Sequence, residues 1–126
     1  MLSSDRSSLL KNIEIANISL RLNFSTRLFF GENLEEEIGS FCKSLAPSIV
    51  LIADSFLLNP YAKSLGEKLG ALVFSIPRGE KAKTKKTLHQ LIDALLEKNV
   101  GKDTVFVALG GGALLDLVGF LASIYL

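Results

Sequence analysis

The sequence predicts an α/β fold in which a parallel sheet carries helices on both faces. Three observations lead there. From residue 34 onward, apolar runs of strand length alternate with stretches of helical period. Ser48–Ala53 and Thr104–Leu109 are apolar almost throughout, as strands buried on both faces must be. The connections between them are short, which suits right-handed crossovers within one sheet.

The first dozen residues are polar and are expected to form a flexible N-terminus, with the folded domain spanning 13–126. Ile13, Ile15, Ile18, Leu20, Leu22 and Phe24 alternate with a slip of phase at Ala16-Asn17. That pattern predicts a bulged strand or two short ones. A further short strand is expected over Arg27–Phe30, ending at Gly31. Leu34, Ile38, Phe41, Cys42 and Leu45 then fall at offsets 0, 4, 7, 8 and 11, one face of a helix. Glu35, Glu36 and Glu37 complement the positive end of its dipole, and Pro47 stops it.

After the strand Ser48–Ala53, Asn59-Pro60 predicts a helix start, with Asn59 as cap and Pro60 in the first helical position. Gly70 closes that helix and Ala71–Ile76 forms the next strand. Leu88, Leu91, Ile92, Leu95 and Leu96 mark the third helix, which ends near Asn99-Val100-Gly101. The strand Thr104–Leu109 and a helix over Ala113–Leu126 complete the chain, separated by Gly110-Gly111-Gly112.

Composition limits the function classes. In 126 residues, 48% are hydrophobic and the net charge is +1, the profile of an ordinary globular domain. A near-neutral chain without aromatics between its cations argues against a nucleic-acid partner. One cysteine excludes an internal disulfide framework and fits the cytoplasm, and no signal sequence is evident at the start. Val105–Leu126 holds 22 residues with one charge, Asp116, long enough to span a bilayer. Three glycines interrupt that run, and a carboxylate near a bilayer centre costs about 2.5–3.5 kcal/mol, so no membrane span is expected.

Ligands of open α/β sheets bind beyond the carboxyl ends of the strands. Three such ends carry candidate residues: Asp54, the turn Gly79–Lys83, and Gly110–Asp116. Consecutive glycines before a helix let backbone N–H groups approach a phosphate, although a tight turn with no ligand reads the same way. Asp116 requires a partner, which a ligand hydroxyl, a cation, backbone donors or solvent can each provide. Asp54 can accept from two ribose hydroxyls or serve as a turn former. Arg78, Lys81, Lys83, Lys85 and Lys86 place five cations within nine residues, where a solvated face competes with an anion site. His89 is expected to face solvent, and Cys42 to be a packing residue. One His and one Cys give no transition-metal cluster.

The stretch from Gly110 to Tyr125 resembles the 3-dehydroquinate synthase signature G-G-G-x-x-x-D-x-x-G-F-x-A-x-x-Y. Pro77-Arg78-Gly79-Glu80-Lys81-Ala82-Lys83 is similar to the P-x-G-E-x-x-K turn of that family, and Asp54 also matches a family position. Alcohol and glycerol dehydrogenases of the wider superfamily share the G-G-G-x-x-x-D part. They usually lack the Gly119-Phe120 pair, which tips the choice.

The resemblance implies a Rossmann-like N-terminal domain that binds NAD. Asp54, Gly79, Glu80, Lys83, Gly111, Gly112 and Asp116 would contact the cofactor. Asp54 and Glu80 suit hydroxyls, the glycines suit the pyrophosphate, and Lys83 with Asp116 would lie toward the nicotinamide. Family enzymes also use a divalent metal, zinc or cobalt. They convert 3-deoxy-arabino-heptulosonate 7-phosphate to 3-dehydroquinate and phosphate, on the route to chorismate and the aromatic amino acids.

Two departures stand out. Leu115 replaces the glycine usual before Asp116 and is expected to crowd the cofactor. The family's metal ligands, a glutamate and two histidines, belong to a C-terminal helical domain that follows the present residues. No catalytic or metal-ligating residue is therefore expected in this chain, which reads as incomplete and inactive alone. Sugar-phosphate binding would need the further domain. A homodimer is compatible with the resemblance, and an apolar final helix predicts self-association. The contrasting readings are a non-catalytic nucleotide-binding or interaction module of the same fold, and an alcohol dehydrogenase-type relative.

Overall fold

The structure is a computed structural model and describes residues 14–19 and 25–126, with side chains from residue 28 onward. The expected flexible segment 1–12, residue 13, and the 20–24 part of the first expected strand lie outside the described residues. The chain divides into two compact units, one up to Glu36 and one from Glu37 to Leu126.

In the first unit, β1 (Glu14–Ser19) pairs antiparallel with β2 (Ser25–Phe30). The register runs unbroken from Glu14 opposite Phe30 to Ser19 opposite Ser25. It passes through Ala16 and Asn17 without an inserted residue. The slip in apolar alternation there is one of side-chain type and does not produce the expected bulge.

The second unit is a three-stranded parallel sheet with helices on both faces. Its elements are α1 (Glu35–Leu45, from its third residue), β3 (Ser48–Asp54), α2 (Lys63–Leu69), β4 (Leu72–Ile76), α3 (Lys85–Glu97), β5 (Thr104–Leu109) and α4 (Gly112–Tyr125). The strand order is β4-β3-β5, with Asp54 opposite Ile76 and Ala53 opposite Leu109. β3 is thus central, and Val50, Leu51, Ile52 and Ala53 are fully buried. Each such large aliphatic side chain contributes about 1.5–3 kcal/mol through burial.

Alternation along the strands supplies two apolar faces. Val50, Ile52, Ile76, Phe74 and Phe106 pack with Leu88, Leu91 and Leu95 of α3 and Leu114, Leu117 and Leu121 of α4. Ile49, Leu51, Ala53 and Val107 pack with Cys42 of α1 and with Leu65 and Leu69 of α2. The β3-to-β4 crossover by α2 and the β4-to-β5 crossover by α3 therefore use opposite faces. Burial pushes the Cys42 thiol up from its ordinary pKa, consistent with a packing residue.

The segment between β3 and α2 departs in detail from the sequence expectation. A short 3₁₀ turn (Ser55–Leu57) and a π-type turn (Leu58–Ala62) precede α2. Asn59 leaves the helical region, with φ −117° and ψ 120°, and a cis peptide joins it to Pro60. Regular α-helix begins only at Lys63 and ends at Gly70, whose φ of 65° suits glycine.

In the apolar stretch Val105–Leu126, the strand residues up to Leu109 are half-buried. They are not buried on both faces as expected, because β5 is an outer strand of the described sheet, and a helix follows. No helix among the described residues is long and apolar enough to cross a membrane. The inner stripe of α4 is buried, while Leu115, Phe120 and Ile124 are each about half exposed. At its end, Tyr125 Oη donates to the Val100 carbonyl at 2.6 Å, and the Tyr125 ring meets Phe106 edge-on at 5.8 Å. These contacts tie α4 to the turn before β5 and to β5 itself.

Candidate functional site

A cleft of about 460 Å³ opens beyond the carboxyl ends of all three parallel strands. Asp54 reaches it from β3; Pro77, Arg78, Gly79 and Glu80 from the turn after β4; Leu109 to Leu114 from β5 and the start of α4. This is where the topology of an open parallel sheet leaves a crevice.

The glycine turn has two distinct parts. A Cβ added to Gly110 would meet Leu114 Cδ1 at 3.1 Å and Asp54 Cβ at 3.3 Å, so Gly110 allows β3 and α4 to approach closely. At Gly111 and Gly112 an added Cβ would meet nothing within 4 Å, because the space beside them is open. Gly111 occupies the cap position of α4 and makes no side-chain cap. The first-turn N–H groups of α4 are therefore available, at the positive end of the helix, to an anion in the cleft. The start of α3 is different, because Thr84 Oγ1 accepts from the Thr87 N–H at 3.1 Å.

Asp54 is 5% exposed and already engaged. One carboxylate oxygen accepts from the Phe56 N–H at 2.8 Å, capping the turn that follows β3. The other lies 3.2 Å from Arg78 Nε. The turn-forming reading of Asp54 is thus realised in the geometry, and two of its acceptor positions are taken. The Arg78 guanidinium also stacks over the Phe56 ring, 4.7 Å from its centroid. Gly79 has φ 83°, a conformation that favours glycine, and it starts the 3₁₀ turn Glu80–Ala82.

Lys83 and Asp116 line a second cleft, of about 350 Å³, with Thr84, Lys85, Leu88, Leu117 and Phe120. Lys83 Nζ donates to Asp116 Oδ2 at 3.0 Å, across 33 positions of sequence. The hydrogen bond and charge of Asp116, followed by the charge of Glu80, raise the Lys83 pKa above the ordinary lysine value.

Five of the seven residues implied by the resemblance (Asp54, Gly79, Glu80, Gly111 and Gly112) share the larger cleft, while Lys83 and Asp116 share the other. Leu115 is 50% exposed and lines neither cleft. His89 is exposed, as expected. Among the described residues, no group of three or more His, Cys, Asp or Glu side chains is placed to hold a metal ion. Arg78 was legible only as one of five cations; its pairing with Asp54 depends on the β3–β4 register, which sequence spacing does not reveal.

Comparison with known proteins agrees with the motif reading. Residues 73–126 match the profile of the 3-dehydroquinate synthase N-terminal domain. The 3-dehydroquinate synthase of Geobacter metallireducens is 35% identical over 103 residues, covering 76% of this chain and 29% of that protein. That of Methylacidiphilum infernorum is 34% identical over 121 residues, covering 88% of this chain and 34% of the relative. The 2-epi-valiolone synthase of Stigmatella aurantiaca is 40% identical over 86 residues, covering 64% of this chain and 21% of that protein. The chain spans about a third or less of the length of these relatives. With both motifs on one parallel α/β sheet, and these similarities across most of its length, the chain belongs to the 3-dehydroquinate synthase family, in its N-terminal domain.

Proposed function

We propose that this chain is the dinucleotide-binding part of a 3-dehydroquinate synthase-like enzyme. The observation that carries the reading is the convergence of Asp54, Gly79, Glu80, Gly111 and Gly112 on one cleft at the carboxyl ends of three parallel strands. The open space beside Gly111 and Gly112 and the uncapped start of α4 fit a pyrophosphate. Glu80 and the remaining acceptor capacity of Asp54 fit hydroxyl groups of a ribose. In the second cleft, Asp116 and Lys83 hold each other in place and would orient the reactive end of the nucleotide. NAD bound there would supply reversible removal of hydride from an alcohol carbon of the substrate. The protein's part is to bind and orient it.

The complete reaction is proposed at the level of the longer relatives, of which this chain spans about a third or less. Conversion of 3-deoxy-arabino-heptulosonate 7-phosphate to 3-dehydroquinate is the form of that reaction the resemblance favours. A relative named for a different product, 2-epi-valiolone synthase, matches over the same kind of span. The nucleotide cleft, rather than the product, is therefore what this chain's own residues support.

Calorimetric titration with NAD tests the reading, with Asp116→Ala as the comparison. Saturable binding that the substitution weakens is expected. A chain that shows a cooperative unfolding transition and takes up no nucleotide would contradict it.

A further inference from the structure

The two clefts are neighbours along α4 and along the turn after β4. Gly112 and Ala113 line the larger, and Asp116, Leu117 and Phe120 line the smaller. Glu80 likewise lines the larger, and Lys83, at the close of the same 3₁₀ turn, lines the smaller. Gly112, Asp116 and Phe120 stand at i, i+4 and i+8 of α4. They form a stripe on one side of the helix over about 12 Å. The smaller cleft takes its apolar lining from Leu88 and Leu117, both buried, and from Phe120, which is 55% exposed. The Lys83–Asp116 bond uses one of three ammonium donors and one of two carboxylate oxygens, so both groups keep bonding capacity for a ligand.

We propose that Phe120 is the wall on which the nicotinamide ring stacks, so that the smaller cleft adds a ring-specific contact to a dinucleotide anchored in the larger one. The inference rests on the dinucleotide reading given above. The pyrophosphate is anionic and belongs at the open N–H groups that start α4, not against leucine and phenylalanine. From that anchor the stripe on α4 leads past Asp116 to Phe120, and a ribose followed by a flat ring follows the same path. A heteroaromatic ring gains by lying on an aromatic side chain. Its carboxamide accepts at oxygen and donates from nitrogen, which matches an ammonium beside a carboxylate. At about 350 Å³ the cleft is in the size range of small-ligand pockets.

Calorimetry on the native chain tests this by comparing NAD with ADP-ribose, which keeps both riboses and the pyrophosphate but lacks the nicotinamide. NAD is expected to bind about tenfold more tightly, the scale of one ring stacked on an aromatic side chain. Phe120→Ala should remove that advantage and leave ADP-ribose binding unchanged, which also shows that the variant is folded. Phe120→Tyr keeps the ring and should keep the advantage. Phe120→Leu keeps only apolar bulk and should lose most of it. The stacking role is overturned if NAD binds no more tightly than ADP-ribose, if Phe120→Ala weakens both equally, or if Phe120→Leu retains the full advantage. In each of those cases ADP-ribose still binds and the reading of the larger cleft stands. If neither ligand binds a folded chain, both fail.

Discussion

Lys83 Nζ lies 3.0 Å from Asp116 Oδ2, joining the turn after β4 to the first turns of α4. Both side chains are substantially exposed, so the pair contributes little to folding and acts chiefly on position and protonation. The folded-state pKa of Lys83 is raised, so its small stabilising contribution is fully present below the ordinary lysine value. It is lost as the pH rises through the folded value. Side-chain NMR titration should show Lys83 losing its proton at higher pH than a free lysine, and Asp116→Asn should bring that midpoint down. A midpoint unmoved by Asp116→Asn would mean the pair does not form in solution.

The three consecutive glycines should separate into structural and ligand-facing roles. Gly110→Ala forces a methyl group against Asp54 and Leu114 and should cost about 1–3 kcal/mol in chemical denaturation. Gly112→Ala occupies the first position of α4, where its methyl meets open space. It should leave the denaturation midpoint nearly unchanged and weaken nucleotide binding. Equal stability losses at the two positions would refute this division.

Gly66 of α2 marks the closest helix–sheet approach among the described glycines. A Cβ there would collide with Val73 Cγ2 of β4. Alanine in place of glycine favours a helix by about 1 kcal/mol, while overpacking costs about 1–3 kcal/mol. A net loss of stability by up to about 2 kcal/mol is expected from Gly66→Ala. Val73→Ala in the same chain should recover part of it, and the absence of coupling in the double-mutant cycle would show that the contact is not tight.

Phe120 and Ile124 lie one turn apart on the same side of α4, each about half exposed. Exposed apolar clusters promote association. Light scattering should show concentration-dependent growth in apparent mass, reduced by the double substitution Phe120→Ser and Ile124→Ser. A concentration-independent monomer would contradict this expectation.

The fold of the second unit was legible because its central strand, β3, is buried on both faces and its neighbours are largely apolar. Nearly unbroken apolar composition in Ser48–Ala53 and Thr104–Leu109 marked them, and the leucine spacing of α3 marked their partner helix. The glycine turn and the residues after β4 were legible because backbone geometry there restricts residue type, as the φ of 83° at Gly79 shows. Long-range pairings were not legible. Whether Asp54 meets solvent, ribose or Arg78 is set by strand register and by the side-chain path of one arginine. The irregular approach to α2 was hidden for a related reason. Asn59-Pro60 marks a start, but the form of the turns that precede regular helix depends on their packing over Ala53 and Leu65.

The central claim is that a nicotinamide dinucleotide occupies the cleft beyond β3, β4 and β5. Amide chemical-shift mapping by NMR, with NAD added stepwise, tests it most directly. Saturable shifts should appear at Gly79, Glu80 and Gly110 through Ala113, and smaller ones at Asp54 and Phe56. A well-dispersed spectrum that NAD does not perturb at these residues would contradict the account.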